Sequence, residues 1–170
     1  MKPDIEEIFD KFRKNSEMIS YLKANIKLGE SLVAASMLHK HPKSWRAAML
    51  LGHIARKDDE HIKASAMDFI DFLGESKNDG HQRQILIILD KISLNEEQEG
   101  HLFSHCMDIW EDINKIPSTR FRAFTTMIRI SQSHPELKYE LRHFLTDYYV
   151  KTLSPGVLHS LNKRIEKIDF

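Results

Sequence analysis

Three arginines recur at matching places along the chain: Arg46 in Arg46-Ala47-Ala48, Arg83 in Arg83-Gln84-Ile85 and Arg122 in Arg122-Ala123-Phe124. A guanidinium is a rigid, always-charged fork that can grip a carboxylate or phosphate through two parallel hydrogen bonds. Each of the three falls near the start of an amphipathic run. A helix dipole disfavours positive charge there by about 0.3–1 kcal/mol, so each arginine needs a specific counter-charge. Two arrangements supply it: an internal ladder, in which each arginine meets an acid or carbonyl of an adjacent repeat, or a row open to an anionic ligand. Trp45 beside Arg46 adds a stacking surface or a packing anchor. Trp110, flanked by Glu111 and Asp112, is expected to be an exposed aromatic anchor of a protein interface. Arg46, Arg83, Arg122, Trp45 and Trp110 are therefore the candidate binding residues.

Other chemistry finds less support. Among the 10 histidines, His101 and His105 stand four apart, as zinc ligands on a helix can, and His39 and His41 flank one residue. No third ligand is spaced to complete either set, and Leu102 stands where a metalloprotease helix carries glutamate, so no metal site is assigned. No cofactor is assigned either. Neither a Gly-x-Ser-x-Gly elbow nor a glycine-rich phosphate loop occurs, and 6 scattered glycines do not build one. The carboxylate pairs Asp68/Asp71 and Asp108/Asp112 read as solvated helix faces, and Cys106 falls on an apolar stripe as a buried thiol. No residue is nominated as catalytic, and the reading is non-enzymatic.

The elements that must position these residues are helices. Ile62, Ala66, Phe69 and Leu73 follow 4-3-4 spacing, as do Leu102, Cys106, Ile109 and Ile113, and Leu137, Leu141, Phe144 and Tyr148. Each set draws one stripe along one helix, and no segment alternates with the period of a strand. The spacing predicts helices near 4–14, 16–28, 30–40, 44–56, 59–73, 80–92, 96–115, 118–132, 136–152 and 156–167. Ser16, Ser44, Asp79, Asn95 and Ser118 are the expected N-caps, and Gly52 and Gly100 are expected at close helix contacts.

Charge is balanced overall, with 25 basic and 25 acidic side chains, so no global basic field draws in nucleic acid or an anionic membrane. The distribution is uneven. Residues 1–57 carry 11 basic and 6 acidic groups, residues 58–117 carry 5 and 14, and residues 118–170 carry 9 and 5. An acidic partner patch or head-to-tail contacts would use that polarity. A single cysteine, no signal-peptide core and no apolar run long enough to span a bilayer make the cytoplasm the expected compartment.

The helical runs repeat. The arginine series steps by 37 and 39 residues, and Ile62, Leu102 and Leu137 in the following helices step by 40 and 35. One such helix pair cannot bury its own apolar face, so neighbours must stack. The expected architecture is all-α, a right-handed α-α superhelix forming one domain over 1–170. It comprises a capping unit at 1–43, three helix pairs at 44–152 and a closing helix at 153–170. The period and pattern over about residues 30–152 resemble the ARM/HEAT class of helical repeats. More narrowly, Ser44-Trp45-Arg46-Ala47-Ala48-Met49-Leu50-Leu51 and His134-Pro135-Glu136-Leu137-Lys138 are similar to short bacterial helical-repeat proteins, some labelled adenylosuccinate lyase. The mobile Ser-Ser-x-Met-Pro-x-Lys-x-Asn loop of true lyases does not occur in this sequence, so no catalytic residue carries over.

Three functions follow from the resemblance. The first is a non-enzymatic protein–protein interaction scaffold, with a protein as its partner. The second is a nucleic-acid-binding repeat protein, by analogy with alkylation-repair glycosylases. The acidic middle segment disfavours that reading. The third is the lyase of the label, which the missing loop disfavours.

Overall fold

A computed structural model describes residues 5–25, 28–39 and 42–168. Every regular element among them is a helix: α1 (Ile5–Lys11), α2 (Asn15–Ala24), α3 (Gly29–Ser36), α4 (Lys43–Ile54), α5 (Glu60–Ala64), α6 (Ala66–Glu75), α7 (Asp79–Leu89), α8 (Glu96–Glu111), α9 (Pro117–Ser131), α10 (Leu137–His143), α11 (Asp147–Val150) and α12 (Pro155–Ile165). The expected all-α, repeated-helix class is what the structure has. The chain forms two compact units, Met1–Leu94 and Asn95–Phe170.

In the first unit α4 is the central helix, packed against α2, α3 and α7, while α6 leans on α7. Its buried face is Ala47, Ala48, Leu50 and Leu51. Small residues at 47 and 48 let the neighbouring backbones come close, and Gly52 extends that contact. A Cβ at 52 would meet Ile87 Cγ2 at 3.4 Å, an ordinary contact between α4 and α7. The core continues through Ile62, Phe69, Ile70 and Leu73 into Ile85, Leu86, Ile88 and Leu89. Asp58 joins the α4–α5 loop to the residues after α7. Its backbone is left-handed at φ 54°, its N–H donates to the Lys91 carbonyl, and its carboxylate accepts the Ser93 N–H at 2.6 Å. Aspartate tolerates that conformation better than most side chains.

In the second unit α9 is central, packed on α8, α10 and α12. Its buried stripe is Ala123, Phe124, Met127, Ile128 and Ile130, against Leu102, Phe103, Cys106 and Ile109 of α8. Asn95 caps α8 as expected. Its side chain accepts the Gln98 N–H at 2.9 Å while Gln98 accepts the Asn95 N–H, a reciprocal capping box.

Several expectations need correction. The run 59–73 is two helices, α5 and α6, because Ser65 leaves helical geometry and closes a tighter turn onto the Ile62 carbonyl. The run 136–152 likewise breaks. Phe144 and Leu145 make three-residue turns, and Thr146 is extended before α11 starts. That break turns the fourth member of the Leu137 stripe outward, and Tyr148 is 65% exposed instead of packed. Caps shift as well. Asn78, not Asp79, accepts the His81 N–H, while α2, α4 and α9 start from Lys14, Pro42 and Ile116 rather than Ser16, Ser44 and Ser118. Gly100 marks no close contact, since nothing lies within 4 Å of an added Cβ.

Candidate binding cleft

The arginine series resolves into two kinds of residue. Arg46 is half-buried and turned inward. Its guanidinium donates to the Phe9 carbonyl at 3.4 Å, the Phe12 carbonyl at 3.2 Å and Asn15 Oδ1 at 3.3 Å, and lies over the Phe9 ring. Those carbonyls are the unsatisfied end of α1, where a cation also opposes the helix dipole. At Arg46 the internal arrangement is the one found, with carbonyls as the counter-charge. In the second unit the same task falls to Arg120, two residues before the expected Arg122. Arg120 is fully buried and donates from Nε to the Trp110 carbonyl at 2.9 Å, from Nη1 to Thr152 Oγ1 at 2.6 Å and from Nη2 to the Tyr149 carbonyl at 3.1 Å. Burial holds its pKa below the usual arginine range, with Asp112 and Tyr149 acting in the opposite direction. Arg122 is half-buried on α9 and has partners within the protein. Arg83 alone of the three is exposed.

The tryptophans also separate. Trp110 is not an exposed anchor: it has no accessible surface, its Nε1–H donates to the Phe144 carbonyl at 3.0 Å, and its ring packs on Phe124 and under Arg120. The acids that suggested a surface position, Glu111 and Asp112, are exposed on the other side of the helix end. Trp45 is half-buried beside Gly80, where a Cβ would come within 3.3 Å of its Nε1. Absence of a side chain at Gly80 is what lets the indole lie against α7.

Cys106 is a buried thiol outside any disulfide. Among the described residues no three His, Cys, Asp or Glu side chains are grouped to hold a metal; His41 lies outside those residues. No helix among them is long and apolar enough to cross a membrane.

The opening that sequence reasoning missed is in the first unit. A cleft of about 630 Å³ lies among α2, α3, the end of α4 and the start of α5. Leu22, Leu28, Val33, Leu51 and Ile54 form an aliphatic floor, and Lys23, His53, Arg56 and His61 stand among its rim residues. The floor residues come from the inward stripes of α2 to α4, left partly open where α4 ends and the chain turns at Ala55. That turn is held by Lys91, which donates to the Gly52 carbonyl and, at 3.0 Å, to the Ala55 carbonyl. Burial, helped by repulsion from Lys23, pushes the Lys91 pKa down from its ordinary 10.5.

The cleft's two carboxylates are already committed or peripheral. Asp59 caps α5, accepting the His61 and Ile62 N–H groups, and Glu60 is exposed at the first turn of α5. His61 stands 4.0 Å from Glu30 and lies against Gly29, where a Cβ would meet its ring at 3.1 Å. Lys23 and Arg56 are both exposed, and neither forms an ion pair among the described residues. A hint was present in the sequence, because both belong to the basic segment 1–57. Their shared position depends on how α2 meets α4, which spacing alone does not give.

Stacked helices whose cations close the helix ends, beside an open cleft, define a helical-repeat protein. The chain belongs to the HEAT repeat family: a family model for the HEAT repeat domain matches residues 7–168. No curated protein and no solved structure matches the chain.

Proposed function

We propose that this protein is a cytoplasmic, non-enzymatic interaction scaffold that holds a protein partner on its helical surface. The observation that supports the reading best is the cleft of about 630 Å³ in the first unit, which joins an aliphatic floor to a polar rim. Such concavities are the usual form of a recognition site. HEAT repeats are commonly protein-interaction scaffolds, and membership in that family points the same way. Trp45 and Arg83, half-buried and exposed on adjoining helices, are retained as binding positions; Arg46 and Arg120 serve the fold.

The test is capture from native extract with the tagged full-length chain, followed by mass spectrometry and reconstitution with the purified candidate. A partner that binds directly and saturably is the expected result. Sustained cleavage of adenylosuccinate by the purified protein, or saturable binding of nucleic acid with no protein partner, would replace the reading.

A further inference from the structure

We propose that the α2–α5 cleft is a binding site for an acidic, aliphatic peptide segment of a partner protein, with Lys23 and Arg56 taking carboxylates while the floor takes a Leu- or Ile-like side chain. The proposal rests on the scaffold reading and gives it a partner chemistry. Three observations converge on it.

The floor is wholly aliphatic: Leu22, Leu28, Val33, Leu51 and Ile54. It rewards a branched apolar side chain, and the rings in the lining, the imidazoles of His53 and His61, belong to the rim.

The rim carries positive charge in excess of what the protein itself uses. Lys23 and Arg56 have no carboxylate partner among the described residues, and Lys23 faces the like charge of Lys91. A carboxylate placed there would relieve that repulsion and gain charge-assisted hydrogen bonds. Asp59 is turned to its own helix, its Oδ1 accepting the His61 and Ile62 N–H groups of α5.

Finally, Asp59 and Glu60 stand in the same lining, so a continuous phosphate backbone would meet two negative charges. A peptide can place carboxylates toward Lys23 and Arg56 and neutral residues toward Asp59 and Glu60. Complementarity therefore favours a peptide over nucleic acid.

The experiment uses the full chain and fluorescence polarisation with a labelled short peptide alternating Leu and Glu. A Leu/Gln peptide, a Ser/Glu peptide and a single-stranded oligonucleotide serve as comparators. The Leu/Glu probe should bind saturably, and the double variant Lys23→Glu/Arg56→Glu should weaken it by about tenfold or more, a loss expected from two charge-assisted contacts. The exposed reversal Lys163→Glu on α12 should leave binding unchanged. Both variants change exposed side chains, and an unaltered melting temperature establishes that loss of binding is not loss of fold. Equal binding of the Leu/Gln peptide removes the charge argument, and equal binding of the Ser/Glu peptide removes the floor. Tighter binding of the oligonucleotide, or no saturable peptide binding, overturns the proposal outright. If the charge-reversed variant still captures the partner found from extract, the scaffold reading stands and only this assignment of the cleft fails.

Discussion

The two units solve one problem in opposite ways. Each has a helix whose C-terminal carbonyls lack partners, and each answers with a cation from a central helix. In the second unit Arg120 is sealed in, with no accessible surface, over the Trp110 ring at 4.8 Å and bonded to three oxygens. In the first unit Arg46 is half-buried and shares its donors between two carbonyls and Asn15, while Lys91 closes the end of α4. The sealed arrangement leaves a closed core around α9. The first unit has a cleft at the other end of α4, whose lining does not include Arg46.

Breaking the two plugs should separate them most strongly. Arg120→Ala strands the Trp110 and Tyr149 carbonyls in a dry site and removes the ring contact, so a loss of about 3–5 kcal/mol is expected. Arg46→Ala should cost only about 1–2 kcal/mol, because water can reach the end of α1. Urea denaturation of the two variants measures the difference. Equal losses would mean that the two sites are equally dry. Core truncations set the scale: Phe69→Ala and Leu141→Ala, one in each unit and both without accessible surface, should each cost about 2–5 kcal/mol.

The same contrast has a pH signature in the first unit. Lys91 titrates below its ordinary 10.5 in the folded chain and regains that value on unfolding. Between the two values the unfolded chain binds more protons, so stability rises with pH across that interval. Lys91→Met should flatten the alkaline rise in melting temperature relative to wild type. At the acid end Asp58 is held below its ordinary 3.8, first by the Ser93 backbone N–H and then by the Ser93 hydroxyl. A lowered carboxylate stabilises the fold above that ordinary value and loses its contribution as pH falls through the depressed one. Asp58→Asn keeps a residue suited to φ 54° while removing the titration, so its melting profile should fall less steeply in acid.

How far the sequence could be read follows from what spacing encodes. The stripes at Ile62–Leu73 and Leu102–Ile109 are buried, and the period of 35–40 residues announced repeated helices. The stripes depend only on neighbours three and four residues apart, and the period only on the recurrence of such stripes along the chain. Trp110 and Tyr148 went the other way for a different reason. Flanking acids suggested that Trp110 faced water, but a helix end places consecutive residues about 100° apart, and Trp110 turns inward while Glu111 and Asp112 stay out. Tyr148 kept its register on paper, yet the turn at Phe144–Thr146 reset the helix phase. The arginine series was legible only in part: Arg46 meets helix-end carbonyls, Arg83 is exposed, and the buried guanidinium of the second unit is Arg120, two residues before the expected Arg122. The cleft was not legible, because it arises where elements that share no local pattern meet.

The smallest effect tests whether burial, rather than charge count, governs the acidic start of α8. From sequence, exposed charge reversals in 96–99 should barely alter stability. The structure divides that run. Glu96 and Glu97 are exposed, whereas the Glu99 side chain is 14% exposed and its Oε2 lies 2.8 Å from His134 Nε2. Glu96→Lys and Glu97→Lys remove favourable charge from a first helical turn, and each should shift stability by no more than about 0.5 kcal/mol. Glu99→Lys instead places a cation against His134 in a half-enclosed site and forfeits the hydrogen bond to the segment following α9, so about 1–2 kcal/mol is expected. Denaturation midpoints of the three variants decide the matter, since all three change net charge equally. A common shift for all three would assign the effect to the helix dipole; a shift confined to Glu99→Lys assigns it to the contact with His134.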